Sequence, residues 1–360
     1  MVVVPDSVPS KVFARPLAEG ASVPAIDCPL RTTPNAGSRI RFARREVFRS
    51  DFAAEWIGIA IVALFALFWA HGIRFGLAVK WDDFLLPVLA VLAIVSARLL
   101  RSERGSLAAE YFLLTIMATA AFGVISYLSM TTDRPLADTA LMAADRAIGF
   151  DWHANYGWLV HHPAIAKILQ VAYNSLVYQG LYFGVLFGLM ARRRELREMF
   201  WLVAAAGVMT SAGAALFPAF GPYKAFGINT EFLSAMKQLR GPNLHFALAS
   251  LTGVVSFPSF HTTMALLYMV GFRRTGAIGW AAVALNVVML PAIPFFGGHY
   301  LVDMFAGALV ALASLTIVKA WPVIAGRIRS GDRPPVSSWE PVPNQVPVFR
   351  QHGLDRELPV

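Results

Sequence analysis

Charge and cysteine are what this chain has least of. Only 15% of its 360 residues are charged, against about 25% in a soluble globular domain, and 57% are apolar. That shortage argues against an ordinary soluble fold. The single cysteine, Cys28, excludes an internal disulfide framework and any cysteine-based zinc site. Acidic residues are also scarce, 22 against 31 basic ones, giving a net charge of +9. Such an excess can serve nucleic acid, but here the basic residues cluster beside hydrophobic segments, as on the cytoplasmic side of a membrane. The expected partner is therefore a membrane and not nucleic acid. No signal-peptide core stands near Met1, where prolines and charges interrupt the apolar residues. Nor is there an internal repeat of the kind that builds two-halved transporters.

What the chain does have is hydrophobic length. Segments long enough to span a bilayer lie near 54–72, 83–100, 108–129, 168–190, 198–217, 258–272, 276–296 and 300–321. With the N-terminus in the cytoplasm, every inside connection is basic: Arg98/Arg101/Arg104, Arg192/Arg193/Arg194/Arg197, Arg273/Arg274 and Lys319/Arg327/Arg329. The outside connections are mixed, with Asp133, Asp138, Asp145 and Asp151 offsetting their basic residues. This alternation follows the positive-inside rule at each crossing. The expected fold is all-α, a polytopic membrane helix bundle of about eight transmembrane helices with both termini inside. Residues 1–50, ending in the basic run Arg39–Arg45, and the Pro-rich residues 324–360 read as disordered cytoplasmic tails. Lack of disulfides and short loops suit a bacterial inner membrane.

Two stretches place ionisable groups at the outer ends of such segments: Ser256-Phe257-Pro258-Ser259-Phe260-His261 and Gly298-His299-Tyr300-Leu301-Val302-Asp303. Polar groups at membrane depth are expensive and read as functional. His299 and Asp303 are spaced i,i+4, which on a helix puts them on one face, and a carboxylate there can orient an imidazole. Ser256 reads as an N-cap with Pro258 in the first helical turn. The backbone N–H groups around Ser259 and His261 would then form an anion cradle. Two histidines, one paired with an acid, beside a phosphate-sized cradle point to phosphoryl transfer through a phosphohistidine, with no metal and no cofactor.

The pattern Pro-Ser-x-His followed by a second His with Asp four residues later resembles the core signature of the type 2 phosphatidic acid phosphatase superfamily. The text SFPSFH and GGHYLVDMFAGAL is most similar to its inositol phosphorylceramide synthase-like (inositolphosphotransferase-type) branch. The resemblance covers roughly residues 108–322. It implies a six-helix catalytic core, a lipid phosphatase/phosphotransferase-like domain over 108–323, and two accessory helices over 51–107. Carried over by position, His299 matches the nucleophile, Asp303 its partner, His261 the general acid and Ser259 a phosphate ligand. Two elements of the family pattern are missing. Ile293 stands where it has arginine six residues before the nucleophile, and its upstream Lys-x6-Arg-Pro motif is absent as such. The implied activity is a lipid phosphatase if water accepts the phosphoryl group, or a phospho-headgroup transferase if a hydroxyl does. The alternative is a catalytically silent membrane scaffold or transporter on the same fold.

Other residues are candidates by position. Lys224, in a Pro/Gly-rich turn, either snorkels to headgroups or binds phosphate. Arg240, in the same outer loop, suits bidentate phosphate binding. Residues 229–253 read as a re-entrant or surface helix. Tyr173, Asn174, Ser175, Tyr178 and Gln179 form a polar stripe, serving either helix–helix hydrogen bonding or a substrate cavity; Tyr173, Tyr178 and Gln179 are the cavity candidates. The 130–167 stretch reads as an amphipathic surface helix with solvated aspartates. His153, His161 and His162 lack metal-ligand spacing and read as interfacial.

Overall fold

Thirteen α-helices, taken in chain order, organise the described residues, 50–330, of a computed structural model. They are α1 Ala53–Gly72, α2 Leu85–Leu99, α3 Glu103–Met130, α4 Asp138–Ala147, α5 Trp152–Val160, α6 Pro163–Leu189 and α7 Arg193–Leu216. Then come α8 Pro222–Phe226, α9 Thr230–Leu239, α10 Phe260–Phe272, α11 Gly276–Met289, α12 Ile293–Phe296 and α13 Leu301–Ser330. Two short strands, β1 Gly76–Ala78 and β2 His245–Ala247, pair in parallel. The tail expected over 1–50, with Cys28 and the run 39–45, lies outside the described residues apart from Ser50. So does the tail expected from 324, apart from the end of α13.

Helices stand at all eight expected spans, as in an all-α polytopic bundle. Five stretches are long and apolar enough to cross a membrane: Ala53–Gly72, Glu103–Met130, Arg193–Leu216, Gly276–Phe296 and Leu301–Trp321. That is fewer than the eight expected, for physical reasons. With 15 and 13 residues, α2 and α10 reach about 22 and about 20 Å, short of a hydrocarbon core of about 30 Å. α6 has the length, with 27 residues, but its polar stripe breaks the apolar run.

Most helices open with local signals. Ser102 caps α3 by accepting from the Gly105 N–H (3.2 Å), Asp151 caps α5 through Ala154 (3.0 Å), and Asn229 caps α9 through Phe232 (3.2 Å). Pro163 and Pro222 stand at the start of α6 and α8, where a missing N–H costs nothing. At the centre of the bundle α3 packs against α1, α2, α6 and α7, while α13 packs on α7 and α10. The approach of α6 to α3 is close because Gly188 has no side chain. A Cβ there would lie 2.5 Å from the Ala108 Cα.

Buried acids tie the first two helices to this core. Glu110 on α3 accepts from Arg98 of α2 (2.9 Å), from the Trp56 indole of α1 (3.4 Å) and from the Ser50 hydroxyl. Glu55 of α1 accepts from Arg197 (3.3 Å) and Trp201 (3.0 Å) of α7. Charges buried here are tolerable because each has a cationic partner. At the opposite end of α1, β1 pairs with β2, and Phe75 stacks on Phe246. The 229–253 stretch is thus a ten-residue helix followed by a strand, not one surface helix. The 130–167 stretch is likewise split, into α4 and α5 around Gly149, whose φ of +81° ends the first of them.

Candidate active site

Two chain segments meet to build the site: the loop entering α10 and the turn entering α13. Both helix starts differ from the local expectation. Ser259, not Ser256, is the N-cap of α10; its Oγ accepts from the Thr262 N–H (3.3 Å) and the Thr262 hydroxyl (3.2 Å). The Ser259 N–H is donated to the Asp303 carbonyl (3.0 Å), which ties this N-cap to the start of α13. His299 lies two residues before α13 begins at Leu301, so His299 and Asp303 do not share a helical face.

The pairing of these two residues is accordingly indirect. His299 Nδ1 is 2.8 Å from the Ser256 carbonyl oxygen and 3.6 Å from Asp303 Oδ2. A carbonyl can only accept, so Nδ1 carries the proton and Nε2 holds the lone pair. Asp303 Oδ2 accepts instead from the Ser256 hydroxyl (2.9 Å) and the Tyr300 N–H (2.8 Å). Its Oδ1 is buried with no hydrogen-bond partner among the described residues. Asp303 thus locks the Ser256 loop to the α13 turn, and Ser256 orients the imidazole. By sequence alone Ser256 reads only as an N-cap. Burial pulls His299 below the usual imidazole range, to about 4, with the Ser256 carbonyl opposing that shift.

His261, in the first turn of α10, faces His299 with ring centroids 5.8 Å apart. Its other face stacks on Tyr173 of α6 at 4.6 Å. The structure therefore brings together His299, Asp303, His261, Ser259 and Tyr173. The other two stripe residues lie elsewhere. Tyr178 is 69% exposed and points away from the bundle, while Gln179 is buried, bonding Ser175 (3.0 Å) and Asn286 of α11 (2.6 Å). Of the two roles open for Gln179, helix–helix hydrogen bonding is the one its contacts serve.

The candidate cations have partners of their own. Arg240 donates to the Thr132 and Arg134 carbonyls, which engages its guanidinium in holding the loop after α3. Lys224 lies 4.0 Å from Asp138 Oδ2 and over the Phe220 ring. Ile293 is fully buried among Ala172, Ala265 and Met289, an apolar setting where a guanidinium would be unpaired.

Two residues read as solvated are part of this site. Asp138 and Asp145 are 8% and 2% exposed, whereas Asp133 and Asp151 face solvent as expected. Asp145 accepts from the Leu301 and Val302 N–H groups, both at 2.9 Å. Asp138 accepts from the N–H groups of Phe220 (3.1 Å) and Gly221 (2.9 Å) and from the Tyr300 hydroxyl (3.3 Å). The signal that could have found them is their i,i+7 spacing on the face that carries Leu141 and Met142. Around them, Trp152 stacks between Tyr156 and Phe226 and donates to the Pro294 carbonyl (3.0 Å). Tyr223 donates to the Phe295 carbonyl (2.6 Å). His153, His161 and His162 remain peripheral, and no group of three or more metal-ligating side chains occurs among the described residues.

A buried histidine with a free Nε2, facing a second histidine and braced by an aspartate through a Pro-Ser-x-His loop, is an arrangement suited to phosphoryl transfer. Residues 139–317 match the family model of the PAP2 superfamily. The PAP2 superfamily match takes in every site residue above, from Asp145 to Asp303, apart from Asp138 one position before it. It starts later than the 108 expected, leaving α3 outside. It points to a phosphatase or phosphotransferase in general, and does not single out the inositol phosphorylceramide synthase-like branch. No curated protein and no solved structure matches the chain.

Proposed function

We propose that this protein is a lipid phosphoryl-transfer enzyme that works through a phosphohistidine on His299, with its site at the outer face of the membrane. The observation that carries the reading is the facing pair of histidines, 5.8 Å apart, with His299 held as the Nδ1–H tautomer by Ser256. Nε2 attacks phosphorus in line, forming the N–P bond as the P–O bond to the lipid or headgroup alkoxide breaks. His261 gives its proton to that alkoxide. It then takes a proton from the incoming water or alcohol, whose oxygen bonds to phosphorus as the N–P bond breaks. Ser259, the open first turn of α10 and Lys224 are the proposed phosphate ligands. The roles need no metal, and turnover is expected to survive chelator.

Charge balance favours transfer from a phosphodiester over hydrolysis of a monoester. Asp138, Asp145 and Asp303 surround the turn that carries His299, and the apolar Ile293 supplies no charge. A phosphate monoester carries between one and two negative charges near neutral pH, whereas a diester carries one. Wild type and His299→Ala would be compared in mixed micelles on phosphodiester and phosphomonoester lipids, with and without alcohol acceptors. Headgroup-exchanged lipid that disappears in His299→Ala supports transfer, and phosphate release that disappears supports a phosphatase. Equal behaviour of both proteins on every substrate overturns the enzyme in favour of a scaffold.

A further inference from the structure

We infer that Asp145, with Asp138 one face-repeat away on α4, is a positioning residue that sets the turn carrying His299 from outside α13. Every backbone N–H from His299 to Asp303 has a named acceptor. His299 donates to the Pro294 carbonyl (3.1 Å), Tyr300 to Asp303 Oδ2 (2.8 Å), and Asp303 to the Tyr300 carbonyl (3.2 Å). Leu301 and Val302 donate to the two oxygens of Asp145. An N-terminal turn normally leaves such donors for a cap of its own or for an anion. Here a side chain more than 150 residues away takes two of them at once. A bidentate carboxylate fixes both the position and the tilt of the turn, where a single bond would leave it free to pivot.

Asp138 holds the other side of the same segment. It fixes the Phe220–Gly221 amides and the Tyr300 hydroxyl. Gly221, at φ +76°, is packed so tightly on the Gly298 carbonyl that any Cβ would collide with it. The 298–302 segment is therefore clamped between Asp145 and the Gly221 backbone, and α4 carries both anchors two helical turns apart. Neither acid is close enough to His299 in the described contacts to hydrogen-bond it. Their action passes through the backbone, and burial of both makes the clamp stiff because no water competes for the N–H groups.

The catalytic consequence rests on the role proposed for His299, whereas the positional one does not, and the test separates them. Protein carrying isotope-labelled histidine in detergent micelles would be prepared as wild type, Asp145→Ala, Asp145→Asn and the exposed-acid control Asp133→Ala. NMR would read the His299 ring nitrogens, and turnover of a fluorescent phosphodiester lipid would give kcat and KM. In Asp145→Ala the Nδ1–H tautomer is expected to give way to a mixture, with kcat lowered at least tenfold and KM within about twofold. Asp145→Asn, which retains one acceptor, should fall between, and Asp133→Ala should match wild type. An unchanged His299 ring in both Asp145 variants overturns the inference, even if less folded protein is recovered. Should Asp145→Ala not fold, Asp145→Asn alone decides. Shifted ring signals with no turnover by wild type would uphold the positioning and sink the enzyme.

Discussion

Replacing Gly307 by alanine tests how tightly the two halves of the site are set against each other. Gly307 is where α13 crosses the start of α10. A Cβ there would lie 3.2 Å from the Ser259 carbonyl carbon, 3.1 Å from the Thr262 Cβ, and nearer still to the Ser259 carbonyl oxygen. The Thr263 hydroxyl also donates to the Gly307 carbonyl (2.8 Å). Alanine is the better helix former by about 1 kcal/mol, which works in favour of the variant. Overpacking works against it by about 1–3 kcal/mol. The steric effect should win, because the obstacle is the backbone of an N-cap residue that cannot rotate aside. Restoring ordinary contact requires α10 and α13 to part by roughly 0.5–1 Å, and a displacement of that size costs on the order of 100-fold in rate. Since Ser259 and His261 ride on α10 and His299 and Asp303 on the α13 side, the loss should fall on kcat. Thermal unfolding in detergent and lipid turnover would be measured beside Gly157→Ala, a helical site with nothing within 4 Å of the added Cβ. Wild-type turnover and an unchanged Tm in Gly307→Ala would refute the close crossing.

Ser256→Ala removes the hydroxyl that Asp303 Oδ2 accepts, leaving an acid whose Oδ1 already has no described partner. Stability should fall by about 1–3 kcal/mol, read by thermal unfolding, while Ser256→Thr should recover most of it. The histidine sets a pH dependence whose sign follows from its depressed folded-state value. The unfolded chain takes up the proton near 6.5 and the folded chain only near 4, so His299's contribution is present above 6.5 and is lost as pH falls from 6.5 towards 4. Tm measured across that interval should drop with acidification, and drop less in His299→Gln.

What could be read from the sequence was whatever depends on neighbours along the chain. Span positions follow from runs of apolar residues, since a bilayer rewards length and hydropathy locally; helices stand at all eight expected places, and five stretches are long and apolar enough to cross. The Pro-Ser-x-His loop and the His299/Asp303 spacing were legible for the same reason. The tertiary structure decided everything that needs two distant segments. His299 donates its hydrogen bond to the chain 43 residues earlier, at the Ser256 carbonyl, because the helix that spacing implied begins only after it. Arg240 serves loop carbonyls, and Tyr178 faces outward, since helix rotation is set by packing partners that a stripe does not name. Asp138 and Asp145 are buried because two sets of unpaired N–H groups meet α4. An acid written in a polar loop becomes an anchor only when folding brings it donors that water would otherwise satisfy.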